Sequence, residues 1–157
     1  MTSEIRIADL EAPETLALLD LHLRGMHAFS PPGSVHALDV SALHRPGVTV
    51  WGLYRDGRLA GIGALRLLDC SQGEVKSMRT HPDFLRSGVG AALLEHIIGE
   101  ARSRGLRRLS LETGTGNAFD PALALYRRRG FEPGAAFGGY AESDFNRFLH
   151  LDLPAEP

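Results

Sequence analysis

Residues 84–94 read Phe-Leu-Arg-Ser-Gly-Val-Gly-Ala-Ala-Leu-Leu, and they constrain the fold more than any other stretch of the chain. Two glycines stand at a turn, and a periodic segment follows at once. Val89, Leu93, Leu94, Ile97, Ile98 and Ala101 recur at helical spacing, with Glu95, His96, Glu100, Arg102, Ser103 and Arg104 on the other face. The pattern predicts a helix over 88–104, with Glu100 and Arg104 paired one turn apart and Gly105 just past its end. The first N–H groups of such a helix have no partner within it, and its dipole favours negative charge there. Glycine lets a backbone approach an anion with no Cβ in the way. The turn therefore suits a phosphate. A glycine turn that serves packing alone is the competing reading, and the stability that two glycines cost at a helix entry weighs against it. A P-loop is excluded because no Gly-Lys-Ser/Thr follows. A dinucleotide fingerprint fails because Leu93 stands where the third glycine belongs and the preceding strand is not the first of the chain.

The remaining segments predict one mixed sheet with helices on both faces. Ile5 and Ile7 alternate with polar residues in a first strand, and Pro13 opens a helix over 13–26 with Leu16, Leu19, Leu23 and Met26 as its apolar stripe. A short helix over 35–43 is expected to be capped by Ser34. Strands are expected over 48–54 and 59–68, joined by the Asp56-Gly57 hairpin signal, and over 74–80, ended by Pro82. A strand over 108–113 follows, then a helix to Arg129 with Asp120 as N-cap and Pro121 in its first turn. Two last strands are expected over 137–141 and 147–153. The order β-α-α-β-β-β-α-β-α-β-β fits a sheet of about six to seven strands in an α/β (α+β mixed-sheet) fold. With 157 residues and no linker, the chain reads as one domain over 1–157.

Bulk properties narrow the partners. The net charge of −2 gives no electrostatic reason for a nucleic acid or an anionic membrane as partner. No apolar run reaches the length of a membrane span, and the acidic N-terminus is unlike a signal peptide, so a cytoplasmic location is expected. Cys70 is the only cysteine and reads as a small half-buried residue rather than a nucleophile. The seven histidines show no metal-ligand spacing, so no metal is expected.

Three motifs resemble one family. Met78-Arg79-Thr80-His81-Pro82, the glycine turn with its helix, and Ala124-Leu125-Tyr126-Arg127-Arg128-Arg129-Gly130-Phe131 stand in the order and spacing of the GNAT superfamily of acyl-CoA-dependent N-acyltransferases. The resemblance implies a GNAT-like fold with acetyl-CoA in a cleft where two parallel strands splay. It implies that the main chain of Met78, Arg79 and Thr80 pairs with the acyl and pantetheine groups. The amides of Leu85, Arg86, Ser87, Gly88, Val89, Gly90 and Ala91 would hold the pyrophosphate. The chain departs from the family pattern twice. Leu85 replaces the usual Gln or Arg three residues before the first glycine, with Arg86 beside it as a substitute. Phe119 replaces the Asn found seven residues before the tyrosine, leaving Asn117, nine before, as the candidate pantetheine contact. A homodimer is one assembly that small members adopt.

Acyl transfer to an amine needs a base for the amine, donors for the oxyanion and an acid for the thiolate. Strand alternation puts Glu74, Lys76 and Met78 on one face, so Glu74 is the first base candidate; its alternative is a surface ion pair with Lys76 or Arg79. Glu112 on the adjacent strand is the rival carboxylate, or a partner for the substrate ammonium. The resemblance makes Tyr126 the acid candidate; its alternative is a core aromatic. The Met78 amide is the expected oxyanion donor. His27, Ser30, His36 and Tyr140 lie in segments expected to wall the acceptor pocket. Two functions remain open on these grounds: an enzyme that acetylates a small-molecule or amino-acid amine, and a non-catalytic acyl-CoA-binding sensor or partner-binding module.

Overall fold

The computed structural model of the chain describes residues 2–28 and 40–154, with the side chains of residues 27 and 28 outside that account. Its elements are β1 (Ser3–Ile7), α1 (Pro13–Ala28), α2 (Val40–Leu43), β2 (Val48–Arg55), β3 (Arg58–Leu67), β4 (Gln72–Thr80), α3 (Val89–Ser103), β5 (Arg108–Gly114), α4 (Asp120–Arg128), β6 (Glu132–Pro133) and β7 (Asn146–Asp152). They form one seven-stranded sheet in the order β1-β2-β3-β4-β5-β7-β6. Every pairing is antiparallel except β4 with β5.

Local chemistry explains the joints. Asp56 and Gly57 both take positive φ, which matches the twist of a two-residue hairpin and sets Arg55 opposite Arg58. The carboxylate of Asp69 accepts from the amides of Ser71 and Gln72 and closes the β3–β4 turn. Cys70 sits in that turn and is exposed, not half-buried as its small size suggests.

The two faces of the sheet carry separate cores. On one, α3 buries Val89, Leu93, Leu94, Ile97, Ile98 and Ala101 against Trp51, Leu65, Val75 and Leu109, the face its periodicity predicts. Burying one such side chain contributes about 1.5–3 kcal/mol. On the other, α1 packs on Tyr54, Leu59, Ile62 and Ala64.

Here the expected stripe holds only in part: Leu19 is buried and Leu23 and Met26 are half-buried. The buried residues of α1 are Thr15, Leu18, Leu19 and His22, and Leu16 is exposed. A polar contact from β4 fixes the helix's rotation: Arg79 reaches His22, and its guanidinium lies where a Cβ on Gly25 would stand. Apolar periodicity does not register such a contact.

Two more expectations change, and a third is only partly within view. No strand covers 137–141: Gly138 and Gly139 have positive φ, and the amide of Tyr140 bonds back to the carbonyl of Phe137, which makes a turn. Phe137 and Tyr140 instead pack on the ring of Phe148. Asp120 is not the N-cap, because the 3-10 turn at Asn117–Phe119 runs straight into α4 and Asp120 already has helical angles. Of the helix expected over 35–43, only Val40–Leu43 lies within the described residues, and Ser34 lies outside them. Among the described residues no helix is long and apolar enough to cross a membrane.

Candidate active site

A cleft opens between β4 and β5. The two strands pair only at Gln72–Arg108, Gly73–Leu109 and Glu74–Ser110. Beyond Glu74 they part, and among the described residues no strand pairs with that edge of β4. The cause lies in β4 itself. Ser77 has φ 57°, and the register against β3 shifts between Ile62 and Ala64. An extra residue of this kind bends and twists a strand. It also reverses the alternation, which corrects the expected grouping of Glu74, Lys76 and Met78. Glu74 and Lys76 share the α1 face, Met78 turns to the α3 face near Ile97, and Arg79 returns to the α1 side. The main chain of Met78, Arg79 and Thr80 lies on this parted stretch.

The glycine turn stands at the end of β4. Pro82–Phe84 makes one 3-10 turn, Leu85 is exposed, and Arg86 and Gly88 both have positive φ, at 58° and 84°. Gly88 is the N-cap residue of α3; it supplies no side-chain cap, and the first turn holds no acidic residue. The amides of Val89, Gly90 and Ala91 therefore lack partners within the helix and face no competing carboxylate. Positive φ near a helix N-terminus turns successive N–H groups toward one concavity. A Cβ on Gly88 would meet nothing within 4 Å, so φ rather than crowding selects glycine there. At Gly90 the reason is contact: a Cβ would lie 3.2 Å from Leu125 of α4. Bare amides, an open approach and no anion in the first turn fit a diphosphate.

Tyr126 lies on the buried face of α4, edge-on to Phe131 at 5.8 Å between ring centroids. Burial pushes its phenol up to about 12. Asn117 is exposed at the start of the 3-10 turn, and the ring of Phe119 covers Gly114 at the end of β5.

A polar cluster faces the cleft's other side. Glu74 is fully buried, 3.2 Å from Lys76 Nζ and 3.2 Å from Arg66 Nε. Tyr140 donates to Glu74 Oε2 at 2.9 Å and accepts from Lys76 Nζ at 2.7 Å. The Arg66 contact is an ion pair by distance but is not aligned for a hydrogen bond, so Glu74 Oε1 is buried with no donor. The pairing with Lys76 exists, but in the interior rather than on a wet surface. Burial lowers the Lys76 ammonium despite Glu74, and burial followed by the Glu74 charge raises the Tyr140 phenol. Glu112, two residues past Ser110 on β5, accepts from Asn146 Nδ2 at 3.0 Å. The structure thus brings Glu74, Glu112 and Tyr140 into one neighbourhood and keeps Tyr126 on the opposite face. The His27 side chain, Ser30 and His36 lie outside the described residues.

Sequence reasoning missed Arg66, His22 and Asn146. Arg66 carried a readable signal, since a hairpin around Asp69 sets it directly opposite Glu74 with the opposite charge. His22 and Asn146 carried none.

A splayed parallel pair, a bare helix N-terminus at its mouth and a buried polar cluster behind it are the arrangement that the resemblance to acyl-CoA-dependent N-acyltransferases implies. The chain belongs to the Acetyltransferase (GNAT) family, whose family model matches residues 15–131. It is 48% identical over 95% of its length to the uncharacterized N-acetyltransferase YedL of Escherichia coli K12, covering 94% of that protein. It is 44% identical over 95% of its length to the uncharacterized N-acetyltransferase YsnE of Bacillus subtilis 168, covering 99% of that protein. A Klebsiella pneumoniae protein assigned as an acyl-CoA N-acyltransferase superposes with a TM-score of 0.78 at 25% identity, over 96% of this chain and 97% of the other. A GNAT acetyltransferase of Elizabethkingia anophelis with acetyl-CoA bound shares the fold, with a TM-score of 0.69 at 19% identity over 96% and 98% of the two chains.

Proposed function

We propose that this N-acetyltransferase moves an acetyl group from acetyl-CoA to a primary amine of a small molecule or amino acid, by direct attack within the β4–β5 cleft. The amides of 85–91 hold the diphosphate, and Met78, Arg79 and Thr80 align the pantetheine arm through their main chain, with Asn117 at its flank. The donor supplies a thioester carbonyl, and the Met78 amide meets its oxygen as charge builds there.

The amine arrives from the side of Glu74, Glu112 and Tyr140. It must lose a proton before its lone pair can attack. Glu74 is sealed from solvent, so the proton reaches it through Tyr140, which takes one proton from the ammonium while giving its own to Glu74. The raised phenol keeps Tyr140 neutral between turnovers, a relay rather than a resident base. When the carbon–sulfur bond breaks, the Tyr126 hydroxyl donates to the leaving sulfur. A phenol near 12 transfers a proton to a thiolate uphill, so its contribution is chiefly a hydrogen bond to the developing charge.

The observation that carries this reading is the parting of β4 and β5 immediately past Glu74, beside the uncapped start of α3. Free-thiol release from acetyl-CoA across a panel of small amines and amino acids tests it. Turnover on such acceptors supports it. Tight acetyl-CoA binding without turnover on any of them would leave only the binding-module reading.

A further inference from the structure

We propose that Arg55, at the end of β2, is the positioning residue that holds the diphosphate turn in its binding shape; the inference rests on the diphosphate reading above. Arg55 Nη1 donates to Ser87 Oγ at 2.7 Å, and Nη2 donates to the Ser87 carbonyl at 2.7 Å. Ser87 Oγ in turn donates to the carbonyl of Phe84. One guanidinium thus ties the strand end to both ends of the segment 84–87.

The segment needs such a tie. Arg86 holds φ 58° without being glycine, a conformation that L-residues avoid and that persists only where neighbouring contacts impose it. Ser87, the next residue, is the one Arg55 grips. The turn has no cap of its own at Gly88. The side chain at 85 is an exposed leucine, so nothing polar at that position helps.

The guanidinium also serves charge. Two fork-shaped donors on a carbonyl and a hydroxyl point the Ser87 peptide carbonyl toward the hairpin, which frees the amides that follow for an anion. Arg55 further places one positive charge beside the turn, on a residue 30 positions away in sequence from Leu85, which replaces the Gln or Arg usual in the family. The neighbouring Arg58–Asp83 pair is different in kind. Both its side chains are exposed, and such pairs contribute little.

The test compares two donors that differ only in the diphosphate-bearing part, acetyl-CoA and acetyl-pantetheine, in the wild-type protein, Arg55→Lys and Arg55→Gln. Coenzyme A affinity is read in parallel by calorimetry, and folding by the melting point without ligand. Loss of a charge-assisted pair of bonds predicts that KM for acetyl-CoA and the coenzyme A Kd rise roughly tenfold in both variants. kcat and KM for acetyl-pantetheine should stay within about twofold, as expected of a contact outside the reacting atoms. Arg55→Lys keeps the charge but not the fork, so wild-type affinity in that variant would overturn the bracing role. A wild-type protein that uses both donors with equal KM would instead sink the diphosphate reading itself. Equal losses with both donors would show a general folding effect and overturn the proposal.

Discussion

Arg79 on β4 donates its Nε hydrogen to Nδ1 of His22 on α1, at 3.2 Å. The contact requires a neutral imidazole with a free Nδ1 lone pair. Burial, then the charges of Arg79 and Lys76, lower His22 from 6.5 to about 4. Above pH 6.5 neither folded nor unfolded chain protonates it. Between 6.5 and about 4 the unfolded chain binds a proton that the folded one refuses, so stability falls as pH falls. The full effect is roughly 3 kcal/mol. Urea unfolding of wild type and His22→Gln from pH 7 to 4 should show this slope only in the wild type.

The buried ion cluster makes a second prediction. Glu74→Ala leaves the Lys76 ammonium without its carboxylate in the interior, where removing one partner costs about 3–5 kcal/mol. Glu74→Met combined with Lys76→Met removes both charges and should recover at least half of that loss. Chemical denaturation of the three proteins measures it, and an equal loss in the double variant would assign the effect to packing instead.

Catalysis and stability separate at Tyr126. Its hydroxyl has no hydrogen-bond partner among the described residues, so Tyr126→Phe removes nothing the fold uses. The expected outcome is an unchanged melting point, an unchanged KM for acetyl-CoA and a kcat lower by about 10–100-fold, below the usual range for a full proton donor because the phenol is raised. Steady-state kinetics of the variant decides it, and an unaltered kcat removes Tyr126 from the reaction.

For the base, Glu74→Gln and Tyr140→Phe should each lower kcat by about 10²–10⁴-fold. Both variants acting alike is the signature of a relay. Steady-state rates unchanged in both, with the loss appearing in Glu112→Gln, would transfer the role to Glu112.

How far the sequence carried this picture depends on what kind of contact built each part. α3 and its glycine turn were legible because burial there follows one uninterrupted helical period. The hairpin at Asp56-Gly57 was legible because positive φ selects those residues. The bulge at Ser77 was not, since serine carries no mark of a left-handed backbone, and its consequence is large: it sends Met78 and Glu74 to opposite faces. The buried face of α1 was only partly legible for a related reason, because a histidine–arginine contact joins Leu18 and Leu19 there. Phe137 and Tyr140 lie in a segment expected as a strand, yet two glycines between them make a turn that lays Tyr140 over Lys76 and Glu74.

The central claim is that bare amides at the start of α3 and the parted edge of β4 together hold acetyl-CoA. A crystal structure of the protein with coenzyme A tests it most directly. The account predicts diphosphate oxygens within hydrogen-bond distance of the 85–91 amides, and the pantetheine arm alongside Met78, Arg79 and Thr80 between β4 and β5. A diphosphate bound elsewhere on the molecule, with those amides facing only water, would contradict it.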